Sequence, residues 1–300
     1  MSWLRLIRWK NLLVILLTQL LAWWCIVVPV GPAILTPLNF LCIALSTVLI
    51  AAAGYIINDY FDVKIDTINK PDKVILERSI PRKRAIILHT ALNIIALILA
   101  LYVARQAHHY EWILLQLTCT LLLWFYSTYF KRQYVTGNLV VALLTALTIF
   151  TLFLYEPALQ YAAGAGFPAS LPVWVLVIYS YFAFMLTWMR EITKDMEDIK
   201  GDEAEGCVTM PITKGLKYAT GFTIVLASLA VIPLAFAAFI LFTVQLTLLA
   251  YYVIILLIAP LIAWSVFITK GATEAHYNNA SHLLKLIMIL GVCSLLIYHY

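Results

Sequence analysis

The sequence has few charged residues. Asp, Glu, Lys and Arg make up 12% of its 300 residues, whereas a soluble globular domain carries about 25%. Hydrophobic residues make up 64%, and the mean hydropathy is +0.94. This composition excludes an ordinary soluble domain, because a soluble fold needs a polar surface, and it indicates an all-α integral membrane protein.

Cysteine is also scarce and scattered. The five cysteines show no CxxC or other metal-binding spacing, and four of them lie in apolar segments. This pattern argues against a disulfide framework and against a cysteine-based metal site. The six histidines are dispersed in the same way.

Long apolar segments fill most of the chain. A membrane-spanning helix needs about 20 apolar residues to cross about 30 Å of hydrocarbon. The first segment follows the basic start MSWLRLIRWK but lacks a small-residue cleavage site, so it is predicted to be a retained helix and not a signal peptide. Nine segments are predicted to span the membrane: 12–30, 38–57, 85–105, 112–129, 138–155, 172–189, 218–241, 246–268 and 283–299.

The basic residues are distributed unevenly among the loops. With nine spans, the N-terminus and the loops after spans 2, 4, 6 and 8 hold 18 of the 20 Lys and Arg residues. The positive-inside rule then places these segments in the cytoplasm and the C-terminus outside a cytoplasmic membrane. The net charge of +5 therefore reflects topology and not binding of nucleic acid.

The acidic residues are concentrated in two of these loops. Twelve of the 15 Asp and Glu residues lie in the loops after spans 2 and 6. The loops are four spans apart, which predicts two similar four-helix halves, about 1–136 and 137–270, with a ninth helix at 283–299. Halves that face each other would bring both loops over one cavity within a single domain, 1–300.

The spacing of the acidic residues indicates a metal site. Asn58, Asp62 and Asp66 are four residues apart, so on a helix they form one polar stripe. Asp198 and Asp202 repeat the interval. Carboxylates at this spacing repel each other, so replacing one by Asn should stabilise the metal-free protein by roughly a few tenths of a kcal/mol.

Oxygen ligands without Cys or His favour Mg²⁺, which commonly binds one or two carboxylates together with substrate phosphates. The alternative is that both loops are charged, solvated caps. That alternative does not account for the same interval in both loops.

Basic residues accompany the acidic loops. Lys194 precedes the second acidic group, and the segment YSTYFKRQY places Lys131 and Arg132 near Tyr126 at the end of the fourth span. Cations beside metal-binding carboxylates would neutralise the remaining charge of a phosphate. Lys131, Lys194 and Tyr126 are therefore candidate substrate-binding residues.

These segments resemble a known family. NDYFDVKID is similar to the NDxxDxxxD motif of the UbiA superfamily of intramembrane prenyltransferases, and KDMEDIKGDEAEG resembles its second, DxxDxxxD motif. TMPITKG resembles the TLPxxxG continuation, and YSTYFKR is similar to the Tyr-to-Lys-Arg segment after the fourth helix. The resemblance implies two four-helix halves around a cavity open to lipid. It also implies Mg²⁺-dependent transfer of a polyprenyl group from its diphosphate to a lipophilic acceptor.

The resemblance further implies roles for individual residues. Lys131 would contact the diphosphate, and Asp195 would support the site. The family's RPIPSG segment has no direct counterpart here, so its phosphate-binding Arg corresponds to Arg78 in RSIPRK or to Lys73 in PDK, with Arg78 preferred. The residues expected to hold Mg²⁺ and the diphosphate, whose carboxylates are the predicted catalytic groups, are Asn58, Asp62, Asp66, Asp198 and Asp202.

The acceptor is less well defined. The motifs most resemble the branch of the family that makes archaeal-type ether lipids, which implies a prenylated glycerol phosphate as acceptor and geranylgeranyl diphosphate as donor. An aromatic ring of quinone biosynthesis is the alternative acceptor. From a different class, a cation or phosphate-metabolite transporter should show helices broken by Gly or Pro and charge within the spans. Here the carboxylates follow the apolar segments, which favours the enzyme.

Overall fold

The computed structural model describes residues 2–271 and 273–299, apart from the side chains of Lys73 and His299. Within these residues the chain is almost entirely helical and forms no β-strand. Two of the helices each include one π-helical turn, at Trp23–Val27 and Val253–Ile258. In chain order the helices are α1 Ser2–Leu6, α2 Trp9–Val30, α3 Pro37–Asn69, α4 Arg82–Gln106, α5 Ile113–Thr128, α6 Thr136–Leu154, α7 Pro157–Gly164, α8 Leu171–Glu197, α9 Ile199–Ala204, α10 Met210–Lys214, α11 Leu216–Thr243, α12 Thr247–Thr269 and α13 Glu274–His299.

Eight helices of the described chain are long and apolar enough to cross a membrane. Eight of the nine predicted spans fall on them. The remaining predicted span, 112–129, corresponds to α5, which has 16 residues. Its rise of about 24 Å is shorter than the hydrocarbon layer. Each predicted span therefore coincides with a helix, whereas the count of nine membrane spans is approximate.

The described helices form two compact units. The first comprises the residues up to Lys131 together with Leu147–Val177, and the second comprises Arg132–Ala146 and the residues from Ile178 onward. Helices α6 and α8 each contribute to both units, so these boundaries differ from those of the predicted halves. The repeat of two four-helix halves stays a prediction.

In the first unit, α3 packs along α4 and α5. Ser46 Oγ donates a hydrogen bond to the Ala96 carbonyl oxygen at 2.8 Å, which satisfies a hydroxyl buried between α3 and α4. Gly54 allows α5 to approach α3, because a Cβ atom at that position would lie 2.9 Å from a methyl carbon of Leu123. These contacts hold α3 on two sides.

A buried carboxylate closes the loop before α3. The Glu156 side chain is fully buried and accepts hydrogen bonds from the backbone N–H groups of Ala33 at 2.8 Å, Ile34 at 3.1 Å and Leu35 at 2.8 Å. It also accepts one from Ala158 in the first turn of α7 at 3.1 Å. Because four backbone donors compensate its charge, Glu156 is a structural clamp between this loop and α7.

The second unit has its core among α8, α11, α12 and α13. Trp264 is fully buried, and its Nε1 donates to the Ala280 carbonyl oxygen at 2.9 Å, linking α12 to α13. Tyr181 Oη donates to the Leu229 carbonyl oxygen at 2.8 Å, linking α8 to α11. These two side chains donate to the backbones of neighbouring helices, which satisfies their polar atoms within a helical fold in lipid.

Large apolar side chains are exposed along the long helices. Ile94 and Ile98 on α4 and Ile232 and Phe236 on α11 are each more than half exposed. Exposing apolar surface to water costs about 25 cal/mol per Å². This cost is absent where the side chains face lipid chains, so these helix faces are those of an integral membrane protein.

Candidate active site

The first acidic motif lies on one continuous helix. The predicted span ends at residue 57, but α3 runs on to Asn69, where Pro71 keeps Lys70 out of the helical conformation. Asn58, Asp62 and Asp66 therefore lie on one face of α3, as their spacing predicts. Asp62 is buried, and the other two side chains are half-buried.

Asp62 forms a salt bridge with Lys131. The Lys131 Nζ donates to Asp62 Oδ1, and the two side chains are only 9% and 12% exposed. The structure thus joins a predicted metal ligand to a predicted diphosphate ligand 69 residues away in the sequence. Removing one partner leaves the other charge buried and unpaired, which is strongly destabilising. The slight stabilisation expected from an Asp-to-Asn change therefore does not hold at Asp62.

Asn58 offers an unused acceptor beside this pair. Its Oδ1 atom is buried and has no hydrogen-bond partner among the described residues. An unsatisfied buried acceptor costs about 1–3 kcal/mol unless a ligand uses it. Together with the oxygens of Asp62 and Asp66, this atom gives an all-oxygen donor set, and such a set fits Mg²⁺.

The described residues contain no group of three or more His, Cys, Asp or Glu side chains that could hold a metal. Of the predicted metal ligands, Asn58 is an amide, and Asp62 is in contact with Lys131. The protein alone therefore presents an incomplete set, as expected where substrate phosphates supply the remaining ligands.

Arg8 is a neighbour of this site that sequence analysis missed. Its Nη2 donates to Asp59 Oδ1 at 2.7 Å, and its guanidinium carbon lies 5.0 Å from the centre of the Tyr55 ring. Arg8 links α1 to α2 with a φ angle of 51°, which is uncommon for a residue other than Gly. Leu6 is fully buried in a cluster with Ile56 and so fixes α1 on α3. In the sequence, the positive-inside rule already accounts for the charge of Arg8, and no motif marks this residue as part of a site.

The second acidic motif does not lie on one helix. Helix α8 ends at Glu197, and Asp198 has φ and ψ angles of −99° and 10°, outside the helical range. Asp202 lies on the short helix α9. The hydrogen bonds from Asp198 N to the Lys194 oxygen at 2.9 Å and from Asp202 N to the Asp198 oxygen at 3.2 Å preserve the four-residue register across the break. The predicted stripe is interrupted, but its spacing is kept.

Amide side chains hold two acidic residues that precede Asp198. Asn138 Nδ2 on α6 donates to Asp195 Oδ2 at 2.8 Å, and Asn278 Nδ2 on α13 donates to Glu197 Oε1 at 2.8 Å. Neither amide is indicated by the sequence, because contacts between residues 57 and 81 positions apart follow no local pattern. These contacts fix the end of α8, and the role predicted for Asp195 stays a prediction.

Lys194 lies in a basic cluster one turn before the motif. Its Nζ donates to Glu191 Oε1 at 2.7 Å, and Arg190 Nη1 donates to the same oxygen at 3.0 Å. Two cations therefore share one carboxylate on α8. The predicted substrate contact of Lys194 stays a prediction.

The structure says less about three other residues that were predicted to bind substrate. Arg78 is exposed, and its Nη1 donates to the Pro71 carbonyl oxygen at 2.9 Å within the loop after α3. Tyr126 is half-buried in the last turn of α5. The Lys73 side chain lies outside the described part of the chain. The roles of these three residues stay predictions.

Comparison with known proteins identifies the class. The model of the UbiA prenyltransferase family matches residues 15–286. By class, the molecule is therefore a membrane-embedded prenyltransferase. More specifically, the chain belongs to the UbiA prenyltransferase family, which confirms the enzyme predicted from the two acidic motifs and leaves the transporter alternative without support.

Relatives and solved structures cover most of the chain. The digeranylgeranylglyceryl phosphate synthase of Methanosphaera stadtmanae is 30% identical over 261 residues, covering 86% of this chain and 85% of that protein. The synthase of the same name from Korarchaeum cryptofilum is 31% identical over 250 residues, covering 83% and 82%.

Among solved structures, one that describes digeranylgeranylglyceryl phosphate synthase in membranes has a TM-score of 0.66 at 24% identity, covering 99% of this chain and 97% of that chain. A UbiA homologue from Archaeoglobus fulgidus bound to DMAPP and Mg²⁺ has a TM-score of 0.63 at 17% identity, covering 98% and 99%. At these identities the likeness establishes the fold. It confirms the predicted all-α membrane architecture.

The first prediction concerns the metal ligands. Asp62→Asn and Asp198→Asn should each lower the turnover number about 10²- to 10³-fold, because each removes a charge that faces the metal and diphosphate. Asp62→Asn should also unfold at a lower temperature, since it leaves Lys131 unpaired. Prenyl transfer at saturating Mg²⁺ and thermal unfolding in detergent measure the two effects.

Asp72→Asn is the matched control, because it makes the same substitution at an exposed carboxylate in the loop after α3. It should retain near-normal turnover. The double variant of Asp62 and Asp198 should be little worse than either single variant, since groups that act as a unit are non-additive. Near-normal turnover by either single variant contradicts the assignment.

The second prediction concerns Arg8. Arg8→Gln leaves the charge of Asp59 unbalanced beside the first motif, so the KM for prenyl diphosphate should rise about fivefold. Adding Asp59→Asn should restore the KM, because both charges are then absent. Arg5→Gln, at an exposed arginine of the same segment, is the control. Equal effects of Arg5→Gln and Arg8→Gln, or failure of the double variant to recover, would refute a specific role of Arg8.

Proposed function

We propose that this chain transfers a geranylgeranyl group from geranylgeranyl diphosphate to a prenylated glycerol phosphate. The observation that carries this proposal is the likeness, over more than four fifths of the chain, to two digeranylgeranylglyceryl phosphate synthases at 30% and 31% identity. The acidic motifs support the donor half of the reaction, because oxygen ligands and a nearby lysine suit a metal-bound diphosphate.

The donor end is proposed to involve both acidic motifs. Bound Mg²⁺ would offset the charge of the diphosphate and stabilise it as a leaving group. Lys131, which pairs with Asp62 in the free protein, can donate to a diphosphate oxygen as negative charge develops there. The residues proposed to hold the metal and diphosphate are Asn58, Asp62, Asp66, Asp198 and Asp202.

The transfer exchanges one carbon–oxygen bond for another. The acceptor hydroxyl oxygen bonds to the allylic carbon of the donor, the bond from that carbon to the diphosphate oxygen breaks, and the hydroxyl proton is released. An allylic carbon with cationic character reacts with water, so the site must exclude it. Long apolar helices supply such an environment and also suit the prenyl chains, which lose about 0.8 kcal/mol per CH₂ on transfer to water.

The orientation in the membrane is also part of the proposal. The N-terminus and both acidic loops would lie in the cytoplasm, because these segments hold most of the Lys and Arg residues. The C-terminus, after α13, would lie outside. We further propose one domain of two four-helix halves, with α13 as the added ninth helix.

The third prediction tests the acceptor. Purified protein in detergent with Mg²⁺ and geranylgeranyl diphosphate should release diphosphate and form a prenyl ether when geranylgeranylglyceryl phosphate is added. An aromatic quinone precursor should give no product. Omitting the acceptor is the control for hydrolysis. Product with the aromatic acceptor alone would refute the proposed acceptor while leaving prenyl transfer intact.

The fourth prediction tests the orientation. Single cysteines introduced at Asp72 and Glu203, which are exposed in the two acidic loops, should react with a membrane-impermeant thiol reagent only from the cytoplasmic side. A cysteine at Glu111, exposed before α5, should react only from the outside. Labelling of positions 72 and 203 from opposite sides would overturn the proposed topology.

A further inference from the structure

The basic cluster on α8 carries charge within a helix long and apolar enough to span the membrane. Arg190 and Lys194 both donate to Glu191 Oε1, at 3.0 Å and 2.7 Å, so the three side chains together have a net charge of +1. The side chains of Arg190 and Glu191 are only 20% and 10% exposed. Charged groups inside a membrane segment are costly and therefore point to function.

Two polar atoms on this side of α8 are buried without a hydrogen-bond partner among the described residues. They are Arg190 Nε and Thr187 Oγ1. Residues three apart on a helix are neighbours on its surface, so the two atoms belong to adjacent side chains. Arg190 contacts Glu191 through Nη1, which leaves the guanidinium edge that includes Nε for another acceptor. A buried unsatisfied donor in a native fold requires an explanation, and a missing ligand is one.

The charge and the donors suit a phosphate. Guanidinium groups bind phosphate oxygens with two parallel hydrogen bonds, and a nearby lysine adds a point charge. A phosphate would also accept from Thr187 Oγ1. Arg190, whose Nε atom has no partner among the described residues, can therefore bind a single phosphate group without a bridging metal.

The cluster begins at Lys194, four residues before Asp198, and extends along α8 away from the donor site. Arg190 precedes Asp198 by eight residues, which corresponds to about 12 Å along a helix axis. The acceptor of the proposed reaction holds its phosphate and its reacting hydroxyl on different carbons of glycerol. A second anion site at some distance from the diphosphate is what such a substrate requires.

We infer that Arg190, Lys194 and Thr187 form a subsite for the phosphate of the acceptor, with Glu191 as the counter-ion of the two cations while no phosphate is bound. This inference rests on the proposed function. It replaces the diphosphate contact expected of Lys194 by a contact with the acceptor, and it assigns roles to Arg190 and Thr187, which no motif of the sequence indicated.

The test separates the two substrates. Arg190→Gln should raise the KM for geranylgeranylglyceryl phosphate about 10- to 100-fold, the loss expected for a charge-assisted phosphate contact. The KM for geranylgeranyl diphosphate should stay within about twofold of the wild-type value. Arg190→Lys should recover part of the loss, because it keeps the charge but not the two-pronged contact. Arg105→Gln, at an exposed arginine in the last turn of α4, is the matched control.

Glu191→Gln should have an effect of opposite sign. It removes the carboxylate that competes with phosphate for the two cations, so the KM for the phosphorylated acceptor should fall. A cluster that merely stabilises α8, or that binds a structural phospholipid, would instead lower the turnover number in all three variants, Arg190→Gln, Arg190→Lys and Glu191→Gln, and would change both KM values alike. That result would overturn the inference.

Two further outcomes are distinguishable. A rise in the KM for geranylgeranyl diphosphate equal to that for the acceptor would assign the cluster to the donor site and refute the acceptor subsite alone. Failure of the wild-type protein to use geranylgeranylglyceryl phosphate would refute the proposed function itself, and with it the subsite.

Discussion

The salt bridge between Lys131 and Asp62 is the interaction on which the first acidic motif depends. An isolated carboxylate at this depth would lose its hydration without compensation. The ion pair with the lysine supplies that compensation. It also ties the segment after α5 to α3 across 69 residues of sequence. One contact thus serves the stability of the fold and the readiness of the site.

The same constraint explains the other charges in and beside the long helices. Asp59 pairs with Arg8, Glu191 with two cations, and Glu156 with backbone N–H groups. These arrangements differ in chemistry, but each compensates a charged group for the hydration free energy that the group loses on leaving water.

The local features of the fold were predictable from the sequence, and the long-range contacts were not. Hydropathy located the spans, and the four-residue interval placed Asn58, Asp62 and Asp66 on one face, because both signals act over a few turns of helix. Hydropathy marks where apolar residues end and not where a helix ends, so it places the end of the span at residue 57, whereas α3 continues to Asn69. The contact of Arg8 with Asp59 joins residues 51 apart, and that of Asn278 with Glu197 joins residues 81 apart, and neither follows a local pattern.

Helix α3 is fixed near both of its ends. Glu156 clamps the loop that leads into its first turn, and Arg8 holds Asp59 near its last turns. Helix α3 therefore cannot slide or rotate without breaking both attachments. A mobile helix would lose conformational entropy when its metal- and substrate-binding side chains became ordered on binding, whereas α3 has already lost that entropy during folding. Binding of a charged substrate then requires little further loss of conformational entropy at this face of α3. A small entropy loss matters most for a membrane enzyme that makes few polar contacts.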